Sequence, residues 1–166
     1  MSEIEIAASA AVIVAGVAAI FAVIWARSSA KTAKLAHEVS QTQERDNLIS
    51  NVLDLATQVM HSSVATATLL HDTKLEMDSV FIANGRANGG IHTQLTKEMA
   101  RHHSALGEHE QVARAIVESP EILGDLENVE LQAKLVILRG LQTAVLRLKE
   151  KFERDYKSYS DQRRAN

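Results

Sequence analysis

The sequence predicts an all-α protein: an N-terminal transmembrane helix running on into a long helix, then an antiparallel helical bundle of three helices or a long helical hairpin. Three observations carry this. Residues 6–26, IAASAAVIVAGVAAIFAVIWA, hold no charge. The chain has one proline, seven glycines and only 4% aromatics, so it offers few breaks and little strand-forming material. Beyond residue 46 the apolar positions recur with a seven-residue period and not in alternation.

Taken in order, residues 1–5 are a short acidic segment with Glu3 and Glu5. The uncharged run that follows is about 21 residues, which at ~1.5 Å per residue spans the ~30 Å of a bilayer core. A cleaved secretory signal wants a basic start and a shorter apolar run; here the start is acidic, and Trp25 and Arg27 close the run as interface residues do. Arg27, Lys31 and Lys34 lie just beyond the span, and cationic flanks stay in the cytoplasm. The expected topology is therefore single-pass in the cell (inner) membrane, with the N-terminus outside and residues 27–166 cytoplasmic. Within the span Ala7, Ala11, Ala15 and Ala19 repeat every four residues beside Gly16. Such a stripe lets two membrane helices approach closely and is the candidate packing surface there.

Residues 27–46 are polar and read as a helical stalk. The bundle domain is expected over 47–160, with a polar tail at 161–166. Its first helix runs to about Phe81. Ile49, Ala56, Ser63, Leu70 and Met77 form one column, and Val52, Val59, Thr66, Thr73 and Val80 the next; Leu53, Met60, Ala67 and Phe81 widen the stripe. Its small and hydroxyl side chains make a thin seam for close packing, on which Ile49, Val52, Ala56, Val59, Ser63, Leu70, Met77 and Val80 are the candidate seam and partner-binding residues. The stretch Asn84–Gly90, with three glycines, ends this helix.

A second helix is expected over 91–117, with Leu95, His102, His109 and Ile116 in one column flanked by Met99, Leu106, Ala113 and Val117. Ser119-Pro120-Glu121 has the form of a helix start with Ser119 as cap, and Gly124-Asp125 offers a second break and cap. A third helix follows to about Tyr159, striped by Leu131, Leu138, Val145, Phe152 and Tyr159. Whether the chain reverses at Ser119–Asp125 separates the bundle from the hairpin. The late cations Lys149, Lys151, Arg154, Lys157, Arg163 and Arg164 read as a solvated face near a helix C-terminus.

All 18 Lys and Arg, and every acid of the 21 except Glu3 and Glu5, lie beyond residue 26, so the cytoplasmic part is close to neutral. That balance argues against a nucleic-acid partner. With no cysteine there is no disulfide framework, thiol nucleophile or zinc–cysteine site. No nucleophile elbow or Ser–His–acid order is present, and no small-molecule substrate is evident. The histidines are the only candidates for chemistry. His102 and His109, near Glu98, Glu108 and Glu110, are the best metal or pH-sensing positions, yet no second Glu/His pair accompanies them, and no cofactor is expected. His61 and His71 fall off the seam and should face solvent.

The expectation is a membrane-anchored, non-catalytic interaction protein whose partners are the lipid bilayer and either a second copy or another membrane or cytoplasmic protein. The alternative class is a membrane-bound metal- or pH-responsive sensor built on His102 and His109. In layout alone, an anchor followed by a helical domain resembles small bacterial and phage membrane proteins. With the topology reversed the rod would resemble the inner-membrane spanins of phage lysis, a resemblance that transfers no residues.

Overall fold

The computed structural model describes residues 3–87 and 89–165; the side chains of 3–21 and of Ile24 lie outside that description, as does Asn88. Four helices account for nearly all of it: α1 (Glu3–Ala83), α2 (Gly90–Glu118), α3 (Glu121–Asp125) and α4 (Asn128–Ala165), and no strand occurs among the described residues. The chain divides into two units, residues 1–46 and 47–166. Among the described residues no helix is long and apolar enough to cross a membrane. The candidate span at 6–26 and its stripe of Ala7, Ala11, Ala15, Gly16 and Ala19 fall almost wholly on side chains outside the description.

In the first unit, residues 25–44 of α1 are exposed throughout, including Trp25 at 76% and Val39 at 65%. Among the described residues nothing covers this stretch, so helical propensity and local pairs support it. Lys34 lies 3.9 Å from Glu38. Thr32 and Thr42 donate to the carbonyls of Ser28 and Glu38. Polar residues at every turn explain why such a helix needs no cover.

The second unit is a three-helix bundle, so the chain does reverse at Ser119–Asp125. The direction of each helix follows from its partners. Asp78 of α1 meets His92 near the start of α2, while Val52, Ala56 and Val59 pack with Ala113 near its end, so these helices are antiparallel. Gln142 donates to Gln58, and Arg163 reaches Glu76, so α4 runs parallel to α1. Lys151 pairs with Glu98, while Leu131 and Leu135 share a cluster with Ala113, so α4 is antiparallel to α2.

The turns have local causes. Asn84–Arg86 forms a Schellman close: the Arg86 N–H donates to Phe81 C=O at 2.8 Å and the Gly85 N–H to Ile82 C=O at 3.0 Å. Gly85 holds φ +67°, a conformation that L side chains resist. At the second reversal the cap differs from expectation. Ser119 closes α2, Pro120 takes the N-cap position of α3 with no side-chain hydrogen bond, and the Ile122 and Leu123 N–H groups bond to the carbonyls of Ser119 and Pro120. The proline ring fixes the turn angle, so the serine hydroxyl is not needed. The last helix starts at Asn128, later than Gly124–Asp125 indicates, because Glu130 reaches back to the Glu127 N–H at 2.9 Å, half of a capping box. It runs on to Ala165, past Tyr159.

The core lies in two apolar clusters. One joins Val52, Ala56 and Val59 to Ala113, Leu123, Leu131, Leu135 and Leu138. The other joins Leu70 and Met77 to Met99, Leu106, Val145 and Phe152. On α1 the stretch between them carries Ser63 and Thr66, both fully buried, whose hydroxyls have no hydrogen-bond partner among the described residues. Small side chains there allow close helix approach, at the cost of desolvated hydroxyls.

Three expected outcomes follow, each read from urea or thermal unfolding of the full chain. Leu138→Ala, at a fully buried position, lowers stability by about 2–5 kcal/mol. Gly85→Ala lowers it by about 1–2 kcal/mol through backbone strain alone, since a Cβ there would touch nothing. Thr66→Val raises it by about 1 kcal/mol, because the lost hydroxyl made no bond.

Candidate functional site

Arg27, Lys31 and Lys34 are exposed, like the rest of residues 25–44. The seam on α1 is buried: Val52, Ala56, Val59 and Met77 are 0% exposed, Ser63 1%, Leu70 3% and Val80 4%, with Ile49 partly buried. Its cover is α2 and α4 of the same chain. As a groove for a partner helix the seam is therefore already occupied, and a partner must use other faces.

On α2 the buried column is Met99, Leu106 and Ala113. The neighbouring column of Leu95, His102, His109 and Ile116 is displaced to the edge of the bundle. The two columns are equally periodic, and the way α4 crosses α2 selects between them. His102 and His109 are boundary residues in consequence, while His61 and His71 are exposed as expected.

His102 belongs to a polar cluster that bridges α2 and α4. Lys151 donates to Glu98 Oε1, and His102 Nε2 lies 3.4 Å from the same oxygen and 3.5 Å from Lys151 Nζ. That ring nitrogen can donate to the carboxylate or accept from the ammonium, but not both. The His102 ring meets Phe152 edge-on at 5.7 Å, and Lys151 Nζ stands 5.9 Å from the Phe152 centroid. The hydrogen bond and charge of Lys151, with help from His102, hold the Glu98 carboxyl below its ordinary range. Burial raises the nearby Tyr159 phenol, reinforced by Asp155 and Glu98.

A second cluster closes the other side of the α1–α2 turn. Lys74 Nζ donates to Asp78 Oδ2 at 2.9 Å and His92 Nε2 to Asp78 Oδ1 at 2.8 Å, with the His92 ring 5.0 Å from Phe81. Burial pushes the Asp78 carboxyl up, but the two hydrogen bonds and the charges behind them outweigh it, and the net shift is downward. Further along α4, Arg163 Nη1 meets Glu76 Oε1 at 3.0 Å. Lys151 and Arg163, read from sequence as part of a solvated cationic face, are thus interhelical ties. Glu98 meets Lys151 on α4 as well as His102 on its own helix.

No group of three or more His, Asp or Glu side chains placed to hold a metal occurs among the described residues. At His102 the neighbouring ammonium would compete with any cation. Nδ1 of His109 is buried without a hydrogen-bond partner among the described residues. A cavity of about 260 Å³ between α1 and α2 is lined by Leu70, His71, Lys74, Thr96, Met99, Ala100 and His103. The chain matches no family model, no curated protein and no solved structure.

The two carboxyls set an acid limit. Their folded values lie below the unfolded ones, so each contributes stability above the unfolded carboxylate range and loses it as the pH falls through the depressed folded value. Urea midpoints recorded from pH 7 down to 2 should fall on the acid side, and Asp78→Asn with Glu98→Gln should flatten that fall. A double-mutant cycle on Glu98 and Lys151 should return a coupling of at most ~1 kcal/mol, since both side chains are more than a third exposed.

Proposed function

We propose that this chain is a single-pass membrane-anchored helical interaction protein without catalysis. Residues 6–26 hold it in the bilayer with the N-terminus outside, and the bundle at 47–166 presents binding faces in the cytoplasm to a second copy or another protein. The observation that carries the reading is the uncharged run of 6–26, closed by Trp25 and followed by Arg27, Lys31 and Lys34. The Ala7, Ala11, Ala15, Ala19 and Gly16 stripe supports helix association inside the bilayer.

The bundle supports an adaptor role in two ways. Its polar clusters tie helices together across the bundle. Its outer faces retain large apolar side chains, among them Leu75 and Ile82 on α1 and Val129, Val136 and Ile137 on α4, all more than half exposed. Faces of this kind suit contact with another protein.

The test is fractionation of detergent-free lysate with a reporter fused to the C-terminus. The uncleaved chain should sediment with membranes, resist carbonate extraction and carry a cytoplasmic reporter. Replacing Arg27, Lys31 and Lys34 together with Glu should move the reporter outward in a measurable fraction of molecules. Full-length chain in the supernatant overturns the anchor. A reporter outside in the unaltered protein overturns the orientation and favours the reversed, spanin-like layout.

A further inference from the structure

We propose that the cavity between α1 and α2 is a binding site for a small carboxylate carrying a short aliphatic tail. This goes beyond the anchored interaction reading and does not depend on it. Leu70, His71 and Lys74 on α1 and Met99, Ala100 and His103 on α2 line the space of about 260 Å³. Positions 70 and 74 lie one turn apart on α1, and 96, 99, 100 and 103 follow one stripe of α2. The antiparallel course of the two helices brings these turns face to face.

The lining divides by chemistry. Leu70 and Met99 are 3% and 5% exposed and belong to the second apolar cluster, so they make a floor set in the core. Ala100 contributes only a methyl group to the wall. His71 and His103 are exposed and Lys74 is partly so, which puts three nitrogen-bearing side chains toward water. No carboxylate is among the lining residues. Among the described residues neither His71 nor His103 has a hydrogen bond or ion pair. Lys74 donates to one oxygen of Asp78, and His92 occupies the other. Asp78 thus steadies the ammonium, which keeps two further protons to donate. Thr96, also in the lining, donates its hydroxyl proton to the His92 carbonyl, so the donors toward the cavity are the nitrogens.

These features select the ligand. A metal cation would meet an ammonium and no carboxylate, against the donor chemistry that hard cations require. A neutral apolar molecule would cover the floor and leave the nitrogen donors unanswered. A bare anion would answer the donors and leave the floor wet. A carboxylate with a short alkyl chain satisfies both. Its oxygens accept from Lys74, His71 and His103, and charge-assisted hydrogen bonds are the strong ones. Its methylenes displace water from Leu70 and Met99. The space is smaller than pockets for drug-sized ligands, so the chain is short. Because such a molecule touches both helices, it binds the folded arrangement and adds to its stability.

Pentanoate is the probe. It is titrated by calorimetry into full-length protein in detergent, against a micelle blank, at about pH 6, where a free imidazole is largely protonated. Saturable binding is expected, with the thermal midpoint of the protein rising alongside. Pentanamide, its neutral isostere, and formate, the anion without a tail, should each bind at least about tenfold more weakly. His71→Gln combined with His103→Gln should weaken pentanoate by about tenfold. Ala100→Leu should fill the cavity and abolish binding, with helix content by circular dichroism unchanged in both variants. Equal binding of pentanamide overturns the anion site, and equal binding of formate overturns the tail. Unchanged affinity in the histidine variant overturns the rim, and binding that survives Ala100→Leu overturns the cavity as its place. Neither saturable heat nor a rise in midpoint with pentanoate well above the millimolar range overturns the site altogether. The comparison of the three probes uses the unaltered chain, so it decides the matter even where a variant fails to fold.

Discussion

One seam governs the bundle. Along α1 a single stripe from Val52 to Val80 buries itself simultaneously against α2 and α4. Its side chains are small for a core: Ala56, Ser63, Thr66 and Thr73 stand where leucine would be usual. Small residues bring three backbones close together, so shape complementarity replaces bulk. The large apolar side chains come from the covering helices, with Phe152, Leu138, Leu131 and Leu106 all nearly inaccessible. The same geometry strands two hydroxyls, whereas Thr73 satisfies its own by donating to the Leu69 carbonyl at 2.7 Å. Removing α4 would bare most of the second apolar cluster, so neither covering helix is an appendage.

Polar ties fix the register that apolar packing leaves loose. Heptad seams can slide by one repeat with little loss of buried area. Gln58 with Gln142, Glu98 with Lys151, and Glu76 with Arg163 occur at separate heights along α4, and a slip of seven residues would break all of them together. Each is worth little alone because most of these groups remain partly in water. Collectively they distinguish one alignment from its neighbours.

Much of the bundle was legible in the sequence, because its signals are local. The heptads of α1 and α4 and the Asn84–Gly90 turn rest on residue types within a few positions of one another, whereas Ser119–Asp125 by itself fits either a reversal or one kinked arm. What escaped depends on residues far apart. Nothing near Lys151 reveals that its ammonium meets Glu98, since that requires knowing how α4 lies across α2. The choice between the Met99–Leu106–Ala113 column and the His102–His109 column has the same origin. The cap at Ser119 failed for a local reason, as Pro120 already fixes the backbone that a capping hydroxyl would have held. At the polar clusters, Glu98 and His102 stood out on one face of α2, while their partner Lys151 on α4 did not.

The parallel course of α1 and α4 has a mechanical consequence. Residue 47 enters the bundle at the end where α4 begins, whereas Ala165 leaves it at the opposite end, near the α1–α2 turn. Tension applied between those two points is directed along the bundle, and it drags α1 and α4 past each other lengthwise. Every apolar layer and every interhelical tie is then loaded at once, in shear, and the helices cannot peel apart one contact at a time. Had the chain ended after α2, the same pull would have unzipped a hairpin from its open end.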